Sequence, residues 1–161
     1  MLTIQEIFDE IKTSGGLTPS RRLRDIASRF PDQIAFRDKQ FGIWNEITYG
    51  EFWTQVQYIG SALNYFGIAR NDKVAIHSEN RPEWLIADIG IQSLGAISVG
   101  LYPTNPPAEV QYLLSHSETK ILFAEDQEQV DKALEVSKDV PNLSKIIYFE
   151  EKGLFRYESD M

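Results

Sequence analysis

Ile4, Ile7, Phe8 and Ile11 recur every three or four residues, the spacing that lines one face of an α-helix. Thr3 and Glu6 form a capping box at its start, and Gly15 and Gly16 stop it after about Thr13. A second helix follows: Thr18 caps it, Pro19 takes the first helical position, and Leu23, Ile26, Ala27 and Phe30 form a stripe that Pro31 ends. Ile34 to Asp38 and Ile43 to Thr48 are short runs rich in Ile, Phe and Trp, separated by a polar turn around Lys39 to Gly42, which predicts a β-hairpin. Thr48 and Glu51 make a second capping box. The helix they open keeps Phe52, Val56, Ile59, Leu63 and Phe66 on one face until Gly67 stops it.

From Lys73 onward the pattern changes to short buried runs alternating with helical stretches. Strands are expected at Val74 to His77, Ile97 to Leu101, Ile121 to Ala124 and Lys145 to Phe149; helices at Pro82 to Leu94, Pro106 to Ser115 and Gln127 to Lys138. Such alternation with short connections favours a parallel sheet with right-handed crossovers. The fold class is therefore α/β: a partial doubly wound, largely parallel sheet with helices on both faces, preceded by two helices and a hairpin. The expected organisation is a helical lead-in over 1–33, an α/β portion over 34–150 and a truncated tail over 151–161.

Composition narrows the function classes. The 161 residues are 42% hydrophobic, enough for a buried core in one domain. There is no cysteine, which excludes disulfides, thiolate metal sites and a Cys nucleophile. A net charge of −8 argues against a nucleic-acid partner. The cluster Arg21, Arg22, Arg24 and Arg29 lies along a short amphipathic helix and reads as a solvated face. Glu6, Asp9 and Glu10 interrupt the first apolar stretch, so no secretory signal is indicated and a cytoplasmic location is expected, with attachment to a membrane surface left open. Leu85 to Tyr102 is broken by Asp88, Gln92, Ser93 and Gly95, and a spanning helix needs about 20 apolar residues, so this stretch reads as a buried helix and strand.

Candidate chemistry is sparse. Neither glycine-rich phosphate motif occurs, and the first strand-to-helix turn, Ser78-Glu79-Asn80-Arg81-Pro82, has no glycine to let a phosphate approach the backbone. Thr13-Ser14-Gly15-Gly16-Leu17-Thr18-Pro19 is superficially similar to a Ser/Thr/Gly-rich phosphate loop, but it has no terminal lysine and precedes the sheet; it reads as a helix stop followed by a helix start. His77, at the end of a buried strand, and His116, at the end of a helix, both read as structural. The paired carboxylates Asp9 with Glu10 and Glu125 with Asp126 are expected in exposed polar settings, and no metal-ligand spacing is present.

Three strings together carry a resemblance. Trp44-Asn45-Glu46-Ile47-Thr48-Tyr49-Gly50-Glu51-Phe52 is similar to the first core motif of the acyl-activating, AMP-forming superfamily that includes acyl-CoA synthetases, luciferases and the adenylation domains of peptide synthetases, with Phe52 where leucine is usual. Gly67-Ile68-Ala69-Arg70-Asn71-Asp72-Lys73-Val74-Ala75-Ile76 resembles the family's Gly-x-x-x-Gly-Asp-x-Val-Ala string, with Asn71 in place of a glycine, a replacement suited to positive φ; Glu79 to Trp84 then resembles long-chain acyl-CoA synthetases. Leu94 to Thr104 is similar to the second core motif, and Tyr112 to Lys120 also has the family's look.

The resemblance spans about residues 20 to 150 in family order and implies the N-terminal part of a long-chain fatty acyl-CoA synthetase. Such an enzyme joins a fatty acid to AMP from Mg-ATP, releasing pyrophosphate, and passes the acyl group to the CoA thiol. ATP, Mg2+ and CoA are thus the implied cofactors of the intact relative and fatty acid its substrate. The family's phosphate loop, magnesium glutamate, ribose aspartate and late lysine have no counterpart here, so no residue is assigned as catalytic, cofactor-binding or metal-binding. The chain alone is expected to bind no cofactor and to be inactive, supplying part of the scaffold. The alternative is a non-catalytic α/β module or split-enzyme half that binds a complementary C-terminal partner. An unpaired sheet edge would also favour self-association.

Overall fold

The computed structural model describes residues 3–13 and 18–154, and the chain divides into two units, Met1–Thr54 and Gln55–Met161. In the first unit both capping boxes close reciprocally. Glu6 accepts from the Thr3 N–H at 2.7 Å while Thr3 Oγ1 accepts from the Glu6 N–H, which starts α1 (Ile4–Thr13). Thr18 Oγ1 accepts from the Arg21 N–H at the start of α2 (Pro19–Arg29), whose Leu23 and Ala27 are buried. The expected stop at Gly15 and Gly16 lies outside the described residues.

β1 (Ile34–Gln40) and β2 (Ile43–Thr48) pair antiparallel through a two-residue turn, with Gln40 opposite Ile43. β1 runs two residues past Asp38 because the turn is tighter than the polar stretch suggested: Phe41 and Gly42 both take positive φ, 50° and 82°, the signature of a type I′ hairpin. Thr48 and Glu51 cap α3 (Tyr49–Tyr65) by the same reciprocal pattern. At its end Gly67 takes φ 82°, the Ile68 N–H donates to Leu63 O and the Gly67 N–H to Asn64 O, a Schellman stop.

The second unit holds the sheet. β3 (Lys73–His77), β4 (Ile97–Leu101), β5 (Ile121–Ala124) and β6 (Lys145–Tyr148) are all parallel, in the order β4-β3-β5-β6. Between them lie α4 (Pro82–Ser93), α5 (Pro107–His116) and α6 (Gln127–Val136), the last extended by a 3-10 turn over Ser137–Asp139. Strand alternation sorts the core into two layers. Val74, Ile76, Ile121 and Phe123 point to the side of α3 and α4, meeting Leu63, Ala87 and Ile91. Ala75 and Leu122 point to the side of α5 and α6, meeting Val110, Leu114, Ala133 and Val136. Helices thus cover both faces, as the doubly wound reading requires. No helix among the described residues is long and apolar enough to cross a membrane.

Candidate functional site

The strand order has a physical consequence. β3 sends its chain through α4 to one face, and its neighbour β5 sends its chain through α6 to the other. Between these departures the carboxyl ends of β3 and β5 form the topological switch point, the place where open α/β sheets bind ligands. The residues at this rim are His77 at the end of β3 and Ser78 to Arg81 after it, Glu125 and Asp126 after β5, Tyr102 to Asn105 after β4 and Phe149 with Glu150 after β6.

Glu125 bridges the two strand ends at this switch point. Its Oε2 accepts from the Glu79 N–H at 2.6 Å and from Ser78 Oγ at 3.1 Å. These are donors that a phosphate would use in a glycine-rich turn. Arg81 then spans the rim: Nη1 donates to Glu150 Oε1 at 2.8 Å and to Glu125 Oε1 at 3.5 Å, Nε donates to Glu83 Oε2 at 2.7 Å, and the guanidinium lies 5.8 Å from the centre of the Phe149 ring. One side chain therefore ties the ends of β3, β5 and β6 together. Burial works against its charge, but the carboxylates of Glu83 and Glu150 outweigh burial and hold its pKa above the ordinary arginine value. Burial likewise raises Glu83, and Arg81 more than offsets that, leaving the carboxyl below its usual range.

The β4 end of the rim is tied separately. The His77 side chain is fully buried, and its Nε2 lies 3.1 Å from Tyr102 O, so Nε2 carries the proton and donates. Nδ1 is left without a hydrogen-bond partner. Burial, followed by the charge of Lys132, pushes this imidazole below its ordinary pKa. Lys132 Nζ donates to Pro103 O at 2.8 Å and to Glu128 Oε1 at 2.7 Å. His77 and Lys132 thereby anchor adjacent carbonyls of the Tyr102-Pro103 turn.

The expected placements can be set against this geometry. His77 is buried at the end of β3, and His116 closes α5 with its ring stacked on Tyr112 at 5.5 Å. Arg21, Arg22, Arg24 and Arg29 are exposed along α2, with Arg24 paired to Asp25 at 3.2 Å. Asp9 is exposed, while the Glu10 side chain and the whole Ser14 to Leu17 stretch lie outside what is described. Glu125 and Asp126 require a correction: both are half-buried rather than exposed, because Glu125 turns inward to Ser78 and Glu79, and Asp126 Oδ1 caps α6 by accepting from the Glu128 N–H at 2.8 Å. The Arg81–Glu125–Glu150 tie was not anticipated. The signal for it is positional, since each residue lies within four positions of the carboxyl end of a parallel strand. Among the described residues no group of three His, Cys, Asp or Glu side chains is placed to hold a metal ion.

The family model for AMP-binding enzymes matches residues 23–159. The chain belongs to the AMP-binding enzyme family. Relatives in the family include the long-chain-fatty-acid–CoA ligase ACSBG2 of Xenopus laevis, 28% identical over 136 residues, which are 84% of this chain and 18% of that one. The long-chain-fatty-acid–CoA ligase FadD15 of Mycobacterium bovis is 31% identical over 123 residues, 76% of this chain and 20% of its own length. The chain thus spans about a fifth of the length of these curated relatives. A solved Mycobacterium tuberculosis fatty acyl CoA synthetase superposes with a TM-score of 0.71 at 21% identity, covering 81% of this chain and 26% of that one, which shows the shared fold. Glu79 to Trp84 and Tyr102 to Thr104 both lie at the rim, because His77 pairs with Leu101 across β3 and β4.

Proposed function

We propose that this chain is a scaffold portion of an AMP-forming long-chain fatty acyl–CoA ligase and that it carries no acyl-activating chemistry by itself. The observation that supports the second half is the filled switch point: Glu125 takes the Glu79 N–H and the Ser78 hydroxyl, and three carboxylates face a single Arg81. A switch point of that charge repels a triphosphate, and its backbone donor is already engaged. In this reading ATP, Mg2+, CoA and the fatty acid are held by other parts of the ligase, in keeping with the absence among the described residues of any group of three His, Cys, Asp or Glu side chains placed for a metal ion. The long-chain preference rests on the relatives' names and on the string Asn80-Arg81-Pro82-Glu83-Trp84. The test is acyl-CoA formation from ATP, Mg2+, palmitate and CoA by the purified chain, run beside a full-length relative. Turnover by the relative with none by this chain above a buffer control is expected; acyl-CoA made by this chain would overturn the proposal.

One observation favours a partner-binding role as a second reading. Among the described residues β4 and β6 each have a single hydrogen-bonded neighbour, and Ile97 and Tyr148 on them remain 47% and 49% exposed. Edges of this kind accept another strand. In this reading a complementary segment or a second copy pairs there, and sedimentation equilibrium of the chain alone would show association. A monodisperse monomer at all concentrations would count against it.

A further inference from the structure

The β1–β2 hairpin ends in a tip that its own turn chemistry does not call for. Two-residue loops with positive φ at both positions favour Asn-Gly or Asp-Gly. Here the first position is Phe41, a residue with a Cβ penalty in that conformation, and its side chain is 104% exposed. Ile43 follows the turn at 68% exposure and Trp44 at 60%. Three large, exposed apolar side chains thus lie within four residues of one another at the turn of the hairpin. On the partner strand Lys39 stands directly opposite Trp44, its Nζ 5.6 Å from the ring centre. Closer to the base, Arg37 is neutralised by Glu46 at 2.8 Å.

We propose that this tip docks into the interfacial region of a lipid bilayer. Phe41 and Ile43 enter the acyl boundary, while Trp44 and Lys39 sit at headgroup level, where amphipathic aromatic rings and snorkelling lysines concentrate. The exposed area separates a bilayer from a folded protein as the occupant. Side chains of these sizes bury about 150–250 Å² each when aromatic, which puts the tip at roughly 400 Å². A stable protein interface needs about 800 Å² per partner with shape complementarity, whereas a fluid lipid surface closes around a narrow tip without it. With the neighbouring Arg37 paired and the chain at −8, apolar insertion rather than attraction to anionic lipid drives the contact. The inference stands on the exposure of the hairpin tip in this chain.

The experiment is co-sedimentation of the full chain with phosphatidylcholine vesicles, with Phe41→Asn as the deciding variant. Asn is the residue the turn prefers, so this variant should keep or raise the melting temperature while lowering vesicle partitioning at least fivefold, two effects that a purely structural role would not separate. Tyr58→Ser, which removes a 71% exposed aromatic elsewhere, should partition like the unmodified chain. Brominated lipids should quench tryptophan emission, and Trp44→Phe should abolish that quenching. The proposal is overturned if the unmodified chain stays in the supernatant, if Phe41→Asn partitions unchanged, if quenching persists in Trp44→Phe, or if Phe41→Asn alters the lipid-free sedimentation coefficient, which would assign the tip to a protein contact.

Discussion

Replacing Gly90 with alanine should destabilise the chain, although alanine is the better helix former. Gly90 lies in α4 where that helix crosses α3, and a Cβ built there would sit 2.6 Å from Ile59 Cγ2, 2.9 Å from Ile59 Cβ and 3.5 Å from the Gly60 N. Ile59 is β-branched and stiff at χ1, and rotation would move its Cγ2 but not its Cβ. The two helices must therefore separate. Helix propensity alone would add about 0.8–1.0 kcal/mol of stability. Overpacking of a close helix contact costs about 1–3 kcal/mol. A contact below 3.0 Å to an atom fixed on its backbone puts Gly90→Ala toward the upper part of that range, for a net loss of about 1–2 kcal/mol. Urea unfolding followed by far-UV circular dichroism would show a lower midpoint at unchanged slope. Gly60 offers a contrast: its added Cβ meets Ser93 Oγ at 2.8 Å, a side-chain end that can rotate, so Gly60→Ala should stay within about 1 kcal/mol of neutral. In an Ile59→Ala background Gly90→Ala should cost less, with a coupling of about 0.5 kcal/mol or more. A Gly90→Ala chain as stable as the original, or more so, would refute the close-packing argument.

Arg81→Met should cost about 1–3 kcal/mol at pH 7, because Glu125 and Glu150 lose a partially buried partner. Glu83 titrates below its ordinary value through Arg81, so its contribution is present above about pH 4.5 and is lost as pH falls through the folded value; the gap between Arg81→Met and the original chain should narrow on acidification, measured by melting from pH 7 to 3. His77, whose pKa is depressed by burial and then by Lys132, stays neutral while the unfolded chain takes up a proton below about pH 6.5. Stability should therefore fall from pH 7 toward 5, by at most about 1.4 kcal/mol per pH unit from this group, and His77→Gln should flatten that slope. At Asn71, φ is 70° and the N–H donates to Gly95 O at 3.0 Å. Asn71→Gly should be near neutral, while β-branched Asn71→Val should lose about 1–2 kcal/mol by thermal denaturation.

The elements were legible where local chemistry decides them. Ile97–Leu101 and Ile121–Ala124 form the strands expected from their short apolar runs, and the caps at Thr3, Thr18 and Thr48 start helices because each needs only residues three positions away. The hairpin strayed at its turn, because polar Lys39 and Gln40 read as turn sequence yet lie in β1, leaving only Phe41 and Gly42 to turn the chain. The rim network was hidden for a different reason. Arg81 meets Glu125 and Glu150 across 44 and 69 residues, and nothing in hydrophobic periodicity encodes which carboxylates turn inward once β5 is placed beside β3. Strand order, which sets the switch point, emerges only from the assembled sheet.

The filled switch point is the claim on which the scaffold reading depends, and a 1H–15N correlation spectrum titrated with Mg-ATP tests it most directly. The amide of Glu79, donated to Glu125 at 2.6 Å, and the amides of Ser78, Arg81 and Glu125 are the reporters. No saturable shift in these resonances up to millimolar nucleotide is predicted. A saturable shift centred on Glu79 and Glu125 would show that the carboxylate yields its place to phosphate and would contradict the account.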